Sequence, residues 1–366
     1  MTHQKAIVGF IGSGGIARSH AYSLNSLRYF YNDSPEIRLE RVCSSTEESR
    51  TVFAKNFGFS KSSDLDEFIN DDKINTIFIL GPNKVHYEHL KSVLGMAGVK
   101  RVYLEKPVCS NVEEEKAIWG LIKDHQGIEI QVGFQFLFSP TIREMIGLWK
   151  SGKTGVPIHF DLKYYHSDYL RKEYRDRRQT RLTAAPDGGA MADLGSHSLS
   201  MLIAFLGDRL RITSAIQGGH FDDVREDSDL FSLISVRDDE SGAVGTLSAS
   251  RISSGTGDYF TIELYATKGA MRYSSVTSDS FEFFSEDSGI WNRRVVGSSY
   301  KPVTTFPSAH VPPGWLRSMI HAHYVFLTGH RDNEFVPDIK HGLAVQNLVT
   351  ETAEHLKVFR KLIANS

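Results

Sequence analysis

The sequence predicts an α/β N-terminal half built on a parallel sheet, followed by an α+β half whose sheet is largely antiparallel. Residues 6–11 form a short apolar run rich in β-branched side chains, typical of a strand buried on both faces. A glycine-rich turn and a helical stretch follow without a gap, which gives strand, turn and helix in the order of a βαβ unit. From Val156 onward, β-rich segments joined by short polar turns favour antiparallel pairing.

Length and composition set the outer limits. A chain of 366 residues with 40% hydrophobic and 23% charged residues is long enough for two globular domains, which we place at residues 1–133 and 134–366. The formal net charge of −2 argues against nucleic acid or an anionic membrane as the main partner. The N-terminal leader runs directly into a strand, and no apolar run is long enough to span a bilayer. Because that leader does not suggest a signal peptide and the two cysteines make no disulfide framework, we expect a cytoplasmic protein.

The turn after the first strand has the spacing of the dinucleotide-binding fingerprint. Gly12 allows a tight turn, and Gly14 lets the backbone approach a pyrophosphate. The small Ala17 lets the next helix, predicted over residues 16–27, pack closely so that its N-terminal N–H groups point at the phosphates. The alternative is a glycine-rich turn in an ordinary α/β domain. The predicted coenzyme contacts of this turn are Gly12, Gly14, Gly15 and Ile16.

The second predicted strand, residues 37–43, ends without the carboxylate that would bind the ribose 2′-hydroxyl of NAD. Ser44 and Ser45 stand at that place, and Arg50 follows shortly after. Hydroxyl groups and a guanidinium suit a 2′-phosphate, so the sequence favours NADP over NAD, with contacts from both serines. Alternatively, Ser44 and Thr46 only cap the following helix.

Two further predicted strands, residues 75–80 and 101–104, end in unusual residues. Gly-Pro-Asn-Lys-Val-His follows the first at residues 81–86, and Glu-Lys-Pro follows the second at residues 105–107. Ligands bind at the carboxyl ends of parallel strands, and a residue before proline is held in extended backbone. The Lys106 ammonium is therefore a candidate functional group, although a surface lysine paired with the preceding glutamate is the simpler alternative. Short helices are predicted over residues 64–70 and 87–97.

The second half contains β-rich segments, several of them joined by short turns such as residues 238–242. They are residues 157–166, 210–218, 229–236, 243–250, 259–266, 271–274 and 281–285. The loop at residues 168–181 is rich in arginine and lysine, which suit an anionic substrate, a solvated flap or a subunit contact. A final amphipathic helix is predicted over about residues 341–362.

Asp193 and His197 are spaced i, i+4 at the entry of a helix predicted to continue through Leu206, so both project from one face. A carboxylate that orients an imidazole is a general acid–base device, because histidine titrates near neutral pH. A metal pair is the second possibility, although no spacing supplies a third ligand. A buried capping aspartate beside a core histidine is the third. Gly188 and Gly189 give this helix a close-fitting or mobile approach.

These ordered motifs resemble the glucose–fructose oxidoreductase and inositol dehydrogenase family, often called Gfo/Idh/MocA. They are G-x-G-x-x-A at 12–17, P-N-x-x-H at 82–86, E-K-P at 105–107, V-G-F-Q at 132–135, G-G-A-M-A-D-L-G-S-H at 188–197 and T-K-G-A at 267–270. The resemblance covers nearly the whole chain. Two positions depart from it, since Ser44 stands where many members carry an acid and Leu137 stands where an arginine often occurs.

The resemblance implies a Rossmann domain followed by an open sheet with helices on one face. The other face of that sheet would be available for self-association, so a homodimer or homotetramer is expected. The coenzyme contacts that it implies beyond the glycine turn and the serines are Pro82, Asn83, His86, Glu105, Lys106 and Gln135. The catalytic residues that it implies are Lys106, Asp193 and His197, with no metal ion.

We therefore predict an NAD(P)-dependent dehydrogenase acting on a CH–OH group of a small sugar, cyclitol or sugar derivative. In this hypothesis Lys106 stabilises and orients the reacting oxygen, His197 exchanges its proton, and Asp193 holds the substrate or the imidazole. Whether His197 or Lys106 is the proton acceptor stays open. The alternatives are a coenzyme-binding regulator or sensor without turnover, and a metal-dependent lyase or hydrolase.

Overall fold

The computed structural model describes residues 5–183, 186–219, 221–225, 227–297, 300, 302, 304, 306, 314–330 and 335–364. They form two compact units, each with its own sheet. The predicted fold class, a Rossmann sheet followed by a largely antiparallel sheet, is confirmed. No helix in the described ranges combines the length and the apolar character needed to cross a membrane.

A parallel sheet forms the centre of the first unit. Its strands are β1 Ala6–Ile11, β2 Ile37–Cys43, β3 Lys61–Ser63, β4 Thr76–Ile79, β5 Arg101–Leu104 and β6 Glu129–Val132. They pair in parallel in the order β3-β2-β1-β4-β5-β6, the doubly wound order of dinucleotide-binding sheets. The strand order reverses between β1 and β4, and ligands bind outside the carboxyl ends of the strands at such a point.

Helices cover this sheet, and their ends follow the local sequence. They are α1 Gly15–Phe30, α2 Glu47–Phe57, α3 Leu65–Ile69, α4 His86–Leu94 and α5 Val112–Asp124. The Thr46 hydroxyl accepts a hydrogen bond from the Ser49 N–H and so caps α2. The Asp64 carboxylate does the same for α3 through the Glu67 N–H. α1 has no such side-chain cap, which leaves its N-terminus available for another acceptor.

The second unit is built on an eight-stranded sheet. Its strands are β7 Pro157–Tyr165, β8 Leu210–Gly218, β9 Phe231–Asp238, β10 Val244–Ser250, β11 Tyr259–Ala266, β12 Gly269–Ser274, β13 Ser280–Ser285 and β14 Ile290–Val295. They lie in the order β14-β13-β12-β11-β7-β10-β9-β8, and every neighbouring pair is antiparallel except β7 with β10. The other helices of the chain are α6 Pro140–Lys150, α7 Lys172–Asp176, α8 Ser196–Leu206, α9 Gly314–Thr328 and α10 Ile339–Ala364.

The division into units is not linear along the chain. The first unit comprises residues 1–109, 113–140 and 298–342, whereas the predicted boundary at residues 133/134 assigned the last of these segments to the second domain. The reason is α9, which packs on α1 with almost every side chain buried. The Tyr324 ring stacks on Tyr31 with centroids 3.8 Å apart, and the buried His323 ring stacks on His20.

Candidate active site

The glycine turn after β1 has the geometry that its spacing predicts. Gly12 has φ +120°, and a Cβ placed there would lie 2.8 Å from the Leu80 carbonyl carbon, so only glycine fits. Among the described residues nothing lies within 4 Å of a Cβ placed at Gly14 or Gly15, which leaves open space in front of the α1 N-terminus. Ala17 is fully buried, as close helix–strand packing requires. This cradle fits a diphosphate.

The two glycines should therefore respond differently to alanine. We expect Gly12→Ala to lower the melting temperature and coenzyme affinity together, because it adds about 1–3 kcal/mol of backbone strain and a clash with Leu80. Gly14→Ala should keep the melting temperature and lower only coenzyme affinity, because its methyl group enters the space meant for the pyrophosphate. Circular-dichroism melting and titration with reduced nicotinamide coenzyme measure the two effects. Unchanged coenzyme binding in Gly14→Ala would contradict the assignment of the space at Gly14 to the coenzyme diphosphate.

Hydroxyl groups and one guanidinium lie where β2 ends. Arg50 donates from Nη1 to the Ser44 carbonyl oxygen at 3.2 Å, and the Ser13 and Ser49 hydroxyl oxygens lie 2.7 Å apart. Ser45 is exposed. The capping alternative holds for Thr46 but not for Ser44, whose hydroxyl donates to the Thr46 carbonyl oxygen at 3.4 Å.

The residues after β4 and β5 are joined by a buried histidine. Pro82 precedes a 3₁₀ turn at Asn83–Val85, and His86 then opens α4. The His86 ring nitrogens lie 2.8 Å from the Gly81 carbonyl oxygen and 2.7 Å from the Pro107 carbonyl oxygen. Burial lowers the pKa of His86, and the two carbonyl oxygens oppose that shift. His86 thus lies between the two strand ends, and in its neutral form its single ring N–H donates to one of the two carbonyl oxygens.

Glu105 and Lys106 follow β5 in different environments. The Glu105 carboxylate is buried, accepts from His20 Nε2 at 2.9 Å and accepts from the Lys106 backbone N–H at 3.3 Å. A Cβ at Gly133 would come within 2.6 Å of this carboxylate, which explains the glycine of the V-G-F-Q motif. Lys106 is half-buried, and its bond to Pro107 is cis. Glu105 is therefore held by the protein interior, and Lys106 extends from that fixed point.

A chain of buried histidines continues from Glu105. His20 Nδ1 lies 2.8 Å from His323 Nε2, and both rings are fully buried. Burial and the neighbouring His20 lower the pKa of His323 well below its usual range, so that ring is neutral. Sequence reasoning missed both residues, because a single histidine on an amphipathic helix gives no signal of a partner 303 positions away.

Gln135 is buried in the 3₁₀ turn that follows β6. With its amide oriented to satisfy both neighbours, the nitrogen donates to the Gly133 carbonyl oxygen at 2.8 Å and the oxygen accepts from Trp315 Nε1 at 2.6 Å. Leu137, at the position where the family pattern often has arginine, is also buried. Gln135 thus fixes the loop beside Glu105.

In the second unit, the Asp193–His197 motif begins in a π-helical turn, Met191–Gly195, that continues into α8. Asp229, from the stretch before β9, anchors this entry by accepting from the Met191 N–H at 2.7 Å. A Cβ at Gly189, which has φ +86°, would lie 2.4 Å from the Asp229 Cβ, so the glycine approach is close-fitting. The buried capping aspartate of this helix is therefore Asp229 and not Asp193.

Asp193 forms an ion pair with the buried Arg251, whose Nη2 donates to Oδ2 at 2.8 Å. His197 is 4% exposed, and its ring meets Tyr164 edge-on at 5.8 Å. Burial raises the pKa of Tyr164 well above its usual range, which keeps that phenol protonated. Throughout the described ranges no group of three or more His, Cys, Asp or Glu residues could hold a metal ion.

The loop at residues 168–181, called the basic loop below, is held by contacts of its own arginine side chains with nearby residues. Arg175 is buried, donates to both Asp223 oxygens at 3.0 and 2.8 Å, and lies 4.2 Å over the Phe221 ring. It also donates to the Tyr169 and Leu170 carbonyl oxygens. Arg175 is therefore a structural anchor of the loop, which favours a structural role over an anion-binding one at this position.

Two family models match the chain. The first, described as an oxidoreductase family with an NAD-binding Rossmann fold, matches residues 7–134. The second, described as the GFO/IDH/MocA C-terminal domain, matches residues 142–272.

Curated relatives are distant but agree in class. Levoglucosan dehydrogenase of Pseudarthrobacter phenanthrenivorans is 24% identical over 76% of each chain. Two scyllo-inositol 2-dehydrogenases of Bacillus subtilis also match. The one named for NAD(+) is 25% identical over 60% of each chain, and the one named for NADP(+) is 24% identical over 42% of this chain and 40% of its own.

Solved structures share the fold over nearly the whole chain. Levoglucosan dehydrogenase in complex with NADH and levoglucosan superposes with a TM-score of 0.85 at 20% identity, covering 96% of this chain and 98% of its own. An inositol dehydrogenase homologue from Azotobacter vinelandii, complexed with NAD+, gives 0.79 at 15% identity over 97% and 96%.

Proposed function

The chain belongs to the Gfo/Idh/MocA family of oxidoreductases, and from this premise we propose a specific activity. It transfers a hydride between a nicotinamide coenzyme and a secondary alcohol or ketone of a sugar, cyclitol or sugar derivative. The observation that carries the proposal is the open cradle at Gly14 in front of an uncapped helix, at the reversal point of a doubly wound sheet. The dehydrogenases among its relatives support the substrate class.

The residues of the first unit suit a dinucleotide. Gly12, Gly14 and the first turn of α1 would hold the diphosphate, and Ser44 with Arg50 would hold the adenosine ribose. The nicotinamide, when bound, supplies the hydride acceptor or donor. Lys106 is then placed by the buried Glu105, and we assign to its ammonium the stabilisation of the substrate oxygen as negative charge develops there.

The motif of the second unit would supply the proton chemistry. We assign His197 as the group that accepts the hydroxyl proton in oxidation and returns it in reduction. Asp193 is a carboxylate with a fixed counter-ion, so its role in this proposal is a stationary negative charge that orients the substrate or the imidazole. Two groups in this scheme can hold the proton, Lys106 and His197.

Coenzyme choice depends on the end of β2, since the relatives include enzymes named for each coenzyme. We favour NADP, because hydroxyls and Arg50 stand where a carboxylate would repel a 2′-phosphate. Arg50→Ala should then raise the KM for NADP by roughly tenfold to a hundredfold and leave that for NAD nearly unchanged. Lys55→Ala, an exposed basic residue of the same helix, is the matched control. Equal changes for both coenzymes in Arg50→Ala would contradict the NADP preference.

The activity is tested by following the absorbance of reduced nicotinamide with either coenzyme. The substrates are levoglucosan, scyllo-inositol, a hexose and a sugar phosphate. We expect turnover with at least one polyhydroxylated substrate and no loss on adding a chelator. Coenzyme binding without any absorbance change across such a panel would instead indicate a regulator.

We further propose self-association through the open face of the second sheet, which light scattering would detect as a dimer or tetramer.

A further inference from the structure

The Asp193 carboxylate is held by a residue to which no role has been assigned above. Arg251 follows directly after β10 and is 2% exposed. We infer that Arg251 is a positioning residue that acts through Asp193, an inference that rests on the proposed function. It fixes both the charge and the orientation of the carboxylate.

Arg251 is immobilised on several sides. Its Nη1 donates to the Arg181 carbonyl oxygen at 2.7 Å, and its Nη2 donates to Asp193 at 2.8 Å. The guanidinium lies 4.6 Å over the Tyr169 ring, and the Arg251 backbone N–H donates to the Leu230 carbonyl oxygen at 2.9 Å. A side chain with this many contacts has little rotamer freedom, so it presents a fixed charge to Asp193.

The balance of charge around the pair favours an ionised Asp193. A buried guanidinium is costly without an anionic partner, and Asp193 is the carboxylate within hydrogen-bonding distance. Within the described part of the chain, the titratable or charged groups found near the pair include Tyr164, Tyr169, Arg181, His197 and Asp229. Asp229 is engaged by the Met191 N–H and the Ser232 hydroxyl, so it is occupied at the helix entry.

The same guanidinium links Asp193 to the basic loop. Arg251 binds the loop at the Arg181 carbonyl and packs on Tyr169, and Arg175 holds the Tyr169 carbonyl from within the loop. Arg251 thereby connects Asp193, which lies 58 positions before it in the sequence, to this loop. Removing the guanidinium should remove this fixed counter-ion from the carboxylate while α8 stays anchored by Asp229.

The test compares Arg251→Met with Arg251→Lys and with a matched control. With a substrate found in the panel, Arg251→Met should lower kcat by on the order of 10²-fold, because a misplaced catalytic group costs about that much. The acid limb of its pH–rate profile should move to higher pH, since a carboxylate without its cation protonates more readily. Arg251→Lys should restore that limb in part.

Arg175→Met is the control for structural damage. Arg175 is also buried, stacks on an aromatic ring and pairs with Asp223, so its loss should lower the melting temperature comparably without moving the acid limb. In an Asp193→Asn background, Arg251→Met should have little further effect on kcat. An unmoved acid limb in Arg251→Met, or an equal further loss in the Asp193→Asn background, would overturn the inference.

A readout without turnover separates this inference from the proposed function. The Asp193 carboxyl carbon, labelled with ¹³C and assigned with Asp193→Asn, is titrated by NMR in the wild type and in Arg251→Met. We expect the wild-type signal to titrate at lower pH than that of the variant. Failure of the whole substrate panel contradicts the proposed function, whereas identical titrations contradict the inference. Should Arg251→Met not fold, a wild-type Asp193 that titrates at or above about 3.9, the ordinary aspartate value, overturns it.

Discussion

Replacing Lys106 with methionine is expected to lower turnover by on the order of 10²- to 10⁴-fold while coenzyme binding stays nearly intact. Methionine keeps most of the length and apolar character of the lysine stem and removes the ammonium. The backbone N–H of residue 106 still donates to the Glu105 carboxylate, so the strand end keeps its structure. The loss then reports the charge on the substrate oxygen that the ammonium stabilises. Stopped-flow turnover and fluorescence titration with reduced coenzyme measure the two quantities.

Lys84→Met is the matched control for this experiment. Lys84 lies in the 3₁₀ turn after the neighbouring strand β4 and is exposed, so it shares the edge of the sheet with Lys106. Its loss should leave kcat unchanged and alter coenzyme affinity little. Unchanged turnover in Lys106→Met would remove Lys106 from the mechanism. A large fall in coenzyme affinity, with kcat retained, would reassign it to coenzyme binding.

The strands were predictable where a buried strand shows in the sequence as one short apolar run. β2, β5, β8 and β11 have their predicted bounds, because short β-branched or apolar runs between polar turns leave little freedom of register. Two of the strands that were not predicted, β3 and β14, lack that signal. β3 is only Lys-Ser-Ser, and β14 is exposed along its whole length, so neither shows the alternation of a half-buried strand.

Helix α9 was not predicted either, although it is largely buried. Its buried face carries Arg317, Ser318, His321 and His323 among the apolar residues, and these polar side chains hide the helical period. They are tolerated because each has a hydrogen-bonding partner. His321 Nδ1 lies 2.7 Å from the hydroxyl of Tyr31 at the end of α1, and the Ser318 hydroxyl lies 3.4 Å from that of Tyr300. Such pairings depend on tertiary structure, which a single sequence does not display.

The residues of the candidate site also fall into those that the sequence predicts and those that it does not. The glycine turn was predictable, because its rule depends on six consecutive residues and on steric limits that the structure reproduces at Gly12. The supporting residues were not, because their contacts join distant positions. Asp229 reaches Met191 across 38 positions, and His20 reaches Glu105 across 85. Local pattern therefore identified the groups proposed to touch ligands, whereas the groups that hold them emerged only from the fold.

Replacing His197 with asparagine is expected to lower the rate of alcohol oxidation by on the order of 10²- to 10⁴-fold at neutral pH. Asparagine keeps a polar side chain in the buried space beside Tyr164 and cannot take up a proton. His159→Asn, an exposed histidine of β7 in the same unit, is the control and should leave the rate unchanged. The melting temperatures of both variants show whether the buried substitution has damaged α8.

The pH dependence of this variant decides which group accepts the proton. If His197 accepts it, the wild-type rate rises with pH through the range in which histidine loses its proton and then levels off. His197→Asn should then lose that plateau and follow hydroxide concentration, so its deficit is constant on the rising limb of the wild-type profile and shrinks with pH along the plateau. If Lys106 accepts it, His197→Asn should lower the rate by one factor at every pH, and Lys106→Met should be the variant that loses the plateau. The two profiles have different shapes, so the assignment depends on no absolute rate.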